Sequence, residues 1–341
     1  MKKFLAITIS VVLLLGLLNG CSESSNSAVS NDTSDGTYTI TLAHSTTEVT
    51  SFQRFATSFK EYAETNSGGK ITVNIYPNAQ LGGDREIIEG TQTGSITLIG
   101  SSAAPQVNFV PSAVINDLPF VFTDKEQARK VLSDLEYAAA ISAEYEKAGF
   151  KYLGSSDQGF RALTSNKEVH APADVQGMTL RTMENKYHME VWKQIGANPT
   201  PLPFNELYTA LQQGTVDAQE NPIELIYSQK FYEQQDYIIT TNHIYQPVSW
   251  IMNKAFYDSL PDDLKAVVDE GANKAIIEAN KYQDDNLEKF RKEMEDYGVT
   301  VVELTPEELS AFSEKAKSAQ EMIQADCEPA VYDAFMKALN K

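Results

Sequence analysis

Hydrophobic and polar residues follow two different periods in the first part of the chain. Residues 37–43 and 71–75 alternate apolar with polar positions, which is typical of half-buried strands. Residues 52–63 instead carry aromatic side chains at helical spacing, and a second helix is expected to run through Ile87 and Ile88. A short apolar run at 96–99 completes the order strand, helix, strand, helix, strand. This order predicts an open, mostly parallel sheet with helices on both faces.

A second unit of the same kind follows. Residues 160–164 and 178–182 are predicted strands. One face of a predicted helix, which Gly196 ends, carries Tyr187, Val191, Trp192 and Ile195. Another helix is expected around 207–211. Two such units predict an α/β chain with two lobes, and open sheets of this kind bind ligands in a cleft at the strand ends.

The chain returns to its first unit before it ends. Residues 248–252 predict a strand that rejoins the first sheet. Residues 262–297 contain no proline and one glycine, so they predict one helix of about 54 Å that spans both lobes. We therefore predict a first lobe of residues 37–158 with 247–286, and a second lobe of 159–246 with 287–341.

The N-terminus has the composition of an export signal. Two lysines precede an apolar run that ends at Leu18, which is short for a membrane span but fits a secretory signal peptide at 1–20. The segment that ends at Cys21 resembles a bacterial lipobox, so we predict that this cysteine carries a lipid anchor. The polar residues 21–36 predict a flexible tether. The alternative is an ordinary signal peptide with an incidental cysteine.

Charge and motif content exclude several classes of protein. The net charge of −19 disfavours nucleic acid and anionic lipid as partners. Cys327 is the one cysteine besides Cys21, which leaves no internal disulfide and predicts a structural role for it. No catalytic or phosphate-binding motif occurs, and the four histidines lack metal-ligand spacing. We therefore expect no cofactor and no metal, and a binding protein rather than an enzyme. An extracellular lyase or hydrolase is the alternative from another class.

One block of sequence identifies a family. Residues 174–181, 196–201, 204–214, 216–222 and 230–233 read DVQGMTLR, GANPTP, FNELYTALQQG, VDAQENP and KFYE. This block resembles the signature of the DctP-type solute-binding proteins of TRAP (tripartite ATP-independent periplasmic) transporters. The resemblance extends to four further segments, at 68–70, 76–82, 118–120 and 260–264. It implies a fold like that of periplasmic binding proteins, with two lobes that close on a ligand by hinge motion.

The resemblance also implies which residues bind the ligand. The family's carboxylate-clamping arginine falls on Arg181, and a second arginine falls on Arg161. The ligand-facing asparagine falls on Asn221, and an aromatic wall position on Phe204. A guanidinium matches a carboxylate with two parallel donors, which supports Arg181 in that role. The alternatives are a structural ion pair for Arg181, a hinge brace for Arg161, a turn role for Asn221 and a core position for Phe204.

Four other positions bear on specificity. In the family's sialic-acid-binding branch, asparagines are expected at the positions of His44 and Glu184, and a glutamate is expected at the position of Ser102. The aspartate expected at Asp84 is retained. Because a site built for hydrogen bonds rejects ligands that leave them unpaired, these changes disfavour sialic acid. A smaller sugar acid, of hexuronate or aldonate type, is the predicted ligand. C4-dicarboxylates and aromatic acids are the alternatives.

The expected partners follow from the family. The resemblance implies small and large membrane subunits of a TRAP transporter, and we expect a monomer anchored outside the cytoplasm. A lipid-anchored sensor that presents ligand to a membrane receptor is the second hypothesis. Both need a closed, liganded pair of lobes, so the chain alone does not separate them.

Overall fold

The computed structural model of the protein describes residues 36–341. The predicted signal peptide at 1–20, the acylation of Cys21 and all but the last residue of the predicted tether lie outside the described residues. None of the helices in the described part of the chain is long and apolar enough to cross a membrane.

Strands and helices alternate along most of the chain. The strands are β1 (Tyr38–Ala43), β2 (Ile71–Tyr76), β3 (Leu98–Ser102), β4 (Phe150–Ser165), β5 (Thr179–Thr182), β6 (Asn198–Pro201), β7 (Ala218–Pro222), β8 (Tyr237–Ile239), β9 (Tyr245–Asn253) and β10 (Thr300–Val302). The helices are α1 (Ser51–Asn66), α2 (Asp84–Thr93), α3 (Ala103–Gln106), α4 (Lys125–Leu132), α5 (Leu135–Lys147), α6 (Lys186–Ile195), α7 (Leu207–Gln212), α8 (Ile223–Ser228), α9 (Lys254–Ser259), α10 (Asp262–Tyr297), α11 (Pro306–Lys315), α12 (Lys317–Asp326) and α13 (Pro329–Leu339).

The strands form two mixed sheets that share one member. The first sheet has the order β2-β1-β3-β9-β4, with β2, β1 and β3 parallel and β9 antiparallel to β3 and β4. The second continues as β4-β7-β5-β6, while β8 pairs with β4 and β10 pairs with β8. Helices cover both faces, so the predicted α/β fold with mixed sheets is confirmed. We refer to the two sheets with their helices as the first and second lobes.

Strand β4 is the covalent link between the sheets. It runs 16 residues, pairs with β9 through its first half and with β7 and β8 through its second. Its register against β9 is interrupted between Tyr152 and Gly154 and between Asp157 and Phe160. Gly154 has a φ of +122°, which glycine adopts without steric cost. Such irregularities bend a strand, so β4 leaves one sheet and enters the next.

The returning strand and the long helix were both predicted correctly. Strand β9 pairs with β3, with Met252 opposite Leu98, and each of its residues is buried. Helix α10 is 36 residues long. Its residues from Leu264 to Ala279 pack in the first-lobe core with α1, and Met294 packs in a second-lobe core with α8. The helix therefore spans both lobes.

The C-terminal helix corrects the predicted division of the chain. We assigned residues 287–341 to the second lobe, but Phe335 of α13 packs in a first-lobe core with Ile99 and Phe150. Cys327, just before α13, is buried in the same core, and burial raises the pKa of its thiol to about 12. The placement of the last helix was wrong because helical periodicity shows which face is apolar but not which sheet covers that face. The other lobe boundaries stay a prediction.

Candidate functional site

Arg181 lies at the carboxyl end of β5, between the two lobes. Strand β5 lies between β6 and β7, so the side chain of Arg181 is 1 % exposed. Its Nε and Nη2 donate to the carbonyl oxygen of Leu202 at 2.9 and 2.7 Å. Its Nη1 is buried and has no hydrogen-bond partner among residues 36–341. Because a buried donor without a partner is costly, this nitrogen is a candidate for an external acceptor.

A small cavity of about 60 Å³ lies beside Arg181. Both lobes line it, the first through the start of α2 and the second through β5 and the segment after β6. Its lining residues are Gly83, Asp84, Arg85, Glu86, Pro105, Arg181, Met183, Glu184, Leu202, Pro203 and Phe204. The guanidinium carbon of Arg181 lies 5.9 Å from the centre of the Phe204 ring. A buried cation beside apolar walls is the arrangement that strengthens a pair with an anion.

Arg181 keeps its charge at neutral pH. Burial lowers its pKa to about 10, and the negative charge of Glu220 opposes that shift. Within the described residues no carboxylate forms an ion pair with Arg181. This argues against the alternative that Arg181 serves in a structural ion pair. The site can therefore accept a carboxylate from a ligand.

Two acidic side chains face the cavity from opposite lobes. Asp84, the first residue of α2, accepts a hydrogen bond from the Ser45 hydroxyl at 2.8 Å, and burial raises the pKa of its carboxyl. Glu184 follows β5, and its Oε2 lies 3.7 Å from Nη1 of Arg85. An ionised carboxylate accepts hydrogen bonds only, so these two groups favour ligand donors such as hydroxyls.

Arg161 lies away from the cavity in a buried ion pair. Both Arg161 and Glu220 are fully buried, and Nη2 of Arg161 lies 2.9 Å from Oε1 of Glu220. Arg161 also donates to Gln246 and, at 3.3 Å, to Oδ1 of Asn221. The negative charge of Glu220 thus already neutralises Arg161. This geometry favours the alternative of a brace, and a direct ligand contact stays a prediction.

Two histidines and an aspartate complete the charge cluster around Glu220. His243 lies 2.8 Å from Glu220 Oε2, and His188 lies 3.2 Å from Oδ1 of Asp117 and 3.8 Å from Glu220 Oε1. Although burial acts to lower it, the pKa of His188 is raised to about 9 by Asp117 and Glu220. His188 is therefore a cation at neutral pH, and Glu220 balances buried positive charge from several sides.

The remaining predicted residues have protein partners. His44 is buried and lies 3.0 Å from both Thr46 Oγ1 and Gln53 Oε1, and burial lowers its pKa to about 4. The hydroxyl of Ser102 lies 3.4 Å from the sulfur of Met183. Neither side chain lines the cavity.

Sequence reasoning located part of this site. The structure brings together Arg181, Asp84, Glu184 and Phe204 around the cavity, and leaves Arg161, Asn221, His44 and Ser102 outside its lining. It also adds three functional candidates that the sequence reasoning missed: Glu220, His188 and Asp117. Glu220 stands in the conspicuous segment at 219–222, but its role depends on partners more than 20 residues away.

Comparison with known proteins adds independent information. A family model described as bacterial extracellular solute-binding protein, family 7 (DctP), matches residues 42–326. A solute-binding protein of Verminephrobacter eiseniae is 39 % identical over 248 residues, which cover 72 % of this chain and 73 % of that protein.

Solved structures show the same fold. A TRAP periplasmic solute-binding protein from Polaromonas, bound to D-erythronate, aligns with a TM-score of 0.83 and 32 % identity over 88 % of this chain and 98 % of that one. The sugar acid binding protein of Advenella mimigardefordensis, in complex with galactonate, aligns with a TM-score of 0.85 and 30 % identity. This alignment covers 89 % of this chain and 98 % of that one. A TRAP periplasmic solute-binding protein from Shewanella oneidensis with bound succinate aligns with a TM-score of 0.84 and 27 % identity. This alignment covers 89 % of this chain and 99 % of that one.

Proposed function

The chain belongs to the DctP family of bacterial extracellular solute-binding proteins, family 7, and from that premise we propose that it captures a sugar monocarboxylate for a TRAP transporter. Proteins of this family bind small organic acids outside the cytoplasm for transport and are not enzymes. Delivery to the membrane subunits of a transporter follows from the family.

The buried, unpartnered Nη1 of Arg181 is the observation that carries the proposal. A carboxylate placed in the cavity would accept from this nitrogen in a site sheltered from water. Charge-assisted hydrogen bonds of this kind are about twice as strong as neutral ones. The ligand would thereby satisfy a group that the protein leaves without a partner.

The acidic groups opposite Arg181 support a sugar acid over a dicarboxylate. Asp84 and Glu184 would accept hydrogen bonds from ligand hydroxyls, whereas a second ionised ligand carboxylate would bring negative charge and no donor to these acidic side chains. Galactonate and D-erythronate, which related proteins hold, each carry one carboxylate and several hydroxyls. Succinate, held by the Shewanella protein, is the alternative that this charge pattern disfavours.

A ligand panel tests this proposal. D-galactonate, D-erythronate and D-galacturonate should stabilise the protein against thermal unfolding more than succinate does. A binder at one hundred times its Kd adds about 2.7 kcal/mol to the unfolding free energy. Galactose and galactitol are matched controls, because they share the hydroxyls and lack the carboxylate. Equal stabilisation by these neutral controls would exclude the arginine clamp, and preference for succinate would exclude the sugar acid.

Hinge motion would trap the ligand. The lobes share strand β4, whose register against β9 is irregular between Asp157 and Phe160. Bending at this irregularity would open the cleft while both sheets keep their hydrogen bonds. Arg181 and Asp84, which belong to different lobes, would then separate and expose the cavity to solute.

We also propose that Cys21 anchors the protein to the membrane. The proposal rests on the apolar run before Cys21 and the polar residues after it. In a bacterial host, Cys21→Ala should shift the protein from the membrane fraction to the soluble fraction, whereas Ser22→Ala should leave it with the membrane. Mass spectrometry of the wild-type N-terminus should show an acylated Cys21. A mature, unacylated N-terminus at another residue would contradict the anchor.

A further inference from the structure

Glu224 is a buried carboxylate that reaches from one lobe to the other. It is the second residue of α8, whose neighbours Leu225 and Ile226 pack in a second-lobe core. Its carboxylate accepts hydrogen bonds from the backbone N–H of Ser51 and, at 2.8 Å, from the Ser51 hydroxyl. Ser51 opens helix α1, whose Phe52 and Phe55 pack in a first-lobe core.

The position at the start of α1 explains why a carboxylate fits there. The first N–H groups of a helix have no partner within the helix, and the helix dipole favours negative charge near them. Thr50 caps the N–H of Gln53, which leaves the N–H of Ser51 to Glu224. The second lobe thus supplies a partner for a group that the first lobe leaves unsatisfied.

The contact is sheltered from water. Ser51 is fully buried and Glu224 is 1 % exposed. Tyr282 of α10 and Asp157 of β4 lie near enough to interact with the Glu224 carboxyl, and burial raises its pKa to about 7. Opening of the cleft would break both hydrogen bonds from Ser51 and return the carboxylate to water.

A chain of buried amides connects Glu224 to the ion pair of Arg161. Gln158 donates to Glu224 at 3.3 Å and accepts from Gln246 at 2.6 Å. Gln246 in turn accepts from Arg161. The interlobe contact is therefore continuous with the buried polar network around Arg161 and Glu220, and Gln158 lies in the irregular part of β4.

We propose that Glu224 is an interlobe latch, a positioning residue that stabilises the closed state through Ser51 and acts on the ligand only through closure. The inference rests on the proposed function only in taking closure as the event that traps the ligand. The contact itself involves only residues of the chain.

Amide hydrogen exchange at Ser51 tests the latch directly. Its N–H donates to Glu224, so it should exchange about five- to tenfold faster in Glu224→Ala, as expected for loss of one intramolecular hydrogen bond. The amides of Phe55 and Phe59, later in α1, should keep their wild-type rates. Glu321→Gln, an exposed acid on α12, is the matched control and should change neither.

A second variant removes the same contact from the Ser51 side, so that the test does not depend on correct folding of Glu224→Ala alone. Ser51→Pro removes both donors, and proline is favourable at the first position of a helix. Thr50 already has the extended backbone that a following proline requires, with φ −133° and ψ 161°. Small-angle scattering should therefore give a larger radius of gyration for Ser51→Pro and for Glu224→Ala, with no further increase in the double variant.

The outcomes separate the latch from the binding proposal. Both measurements are made without ligand and with D-galactonate in excess. Equal Ser51 exchange in wild type and Glu224→Ala in both samples would overturn the latch, as would acceleration of all α1 amides together. A ligand panel without any binder would contradict the sugar acid, yet the ligand-free comparison would still decide on Glu224.

Discussion

Replacement of Arg181 by alanine is expected to weaken binding of D-galactonate by about 2–5 kcal/mol, by analogy with buried charge pairs that lose one partner. This range corresponds to about 30-fold to 5000-fold in Kd. The loss is large because the ligand carboxylate would stay desolvated in the closed cleft without its cation. Isothermal titration calorimetry measures it. Arg181→Lys should recover part of the affinity, since an ammonium lacks the planar fork of a guanidinium.

The ligand-free protein distinguishes a clamp from a brace. Arg181 makes two hydrogen bonds to Leu202 but no ion pair within the described residues, so Arg181→Ala should lower the ligand-free unfolding free energy by about 1–2 kcal/mol at most. Arg291→Ala removes a partly exposed arginine that pairs with Glu295 and Glu303, and it should leave binding unchanged because Arg291 does not line the cavity. Normal binding by Arg181→Ala, or unfolding of the ligand-free variant, would exclude the clamp.

Replacement of Glu220 by glutamine is expected to destabilise the folded protein by about 3–5 kcal/mol, the usual effect of removing one partner from a buried ion pair. The variant keeps the shape of the side chain and leaves Arg161 buried without its counter-charge. Urea-induced unfolding measures the loss. Glu295→Gln breaks an exposed pair with Arg291 and should cost less than about 1 kcal/mol. Equal losses of unfolding free energy in the two variants would show that the buried pair contributes no more to stability than the surface pair does.

The pH dependence of the same variant reports on His188. Its pKa in the folded protein is about 9, above the ordinary value of 6.5, so its stabilising contribution is complete below pH 6.5 and is lost as the pH rises through 9. Glu220→Gln removes one of the two carboxylates that raise this pKa. The decline of stability between pH 6.5 and 9 should therefore be shallower in the variant than in the wild type.

Features that depend on local pattern could be predicted from the sequence. The 36 residues of α10 lack proline, and the apolar run of β9 predicts a buried strand, so both were recognised. The first half of β4 was missed because Gly154, Ser155 and Asp157 interrupt its apolar pattern. Strand β6 was missed because prolines at 199 and 201 argue against a strand. Its pairing with β5 maintains it despite them.

Features that depend on contacts distant in sequence could not be predicted in this way. Arg181 and Phe204 were identified through a motif, but the pairing of Arg161 with Glu220 joins residues 59 positions apart. The contact of Glu224 with Ser51 joins residues 173 positions apart. No periodicity or composition encodes which buried acid meets which donor. Only the packed fold brings these groups together.

The course of the chain through the two lobes constrains the order in which they can fold. The first lobe contains β1 near the start of the described chain, β9 from its later part and α13 from its end. A ribosome releases the N-terminus first, and long-range contacts of this kind form slowly. The first lobe therefore stays incomplete until α13 has been synthesised. Such a delay suits export before folding, which the predicted signal peptide at 1–20 implies.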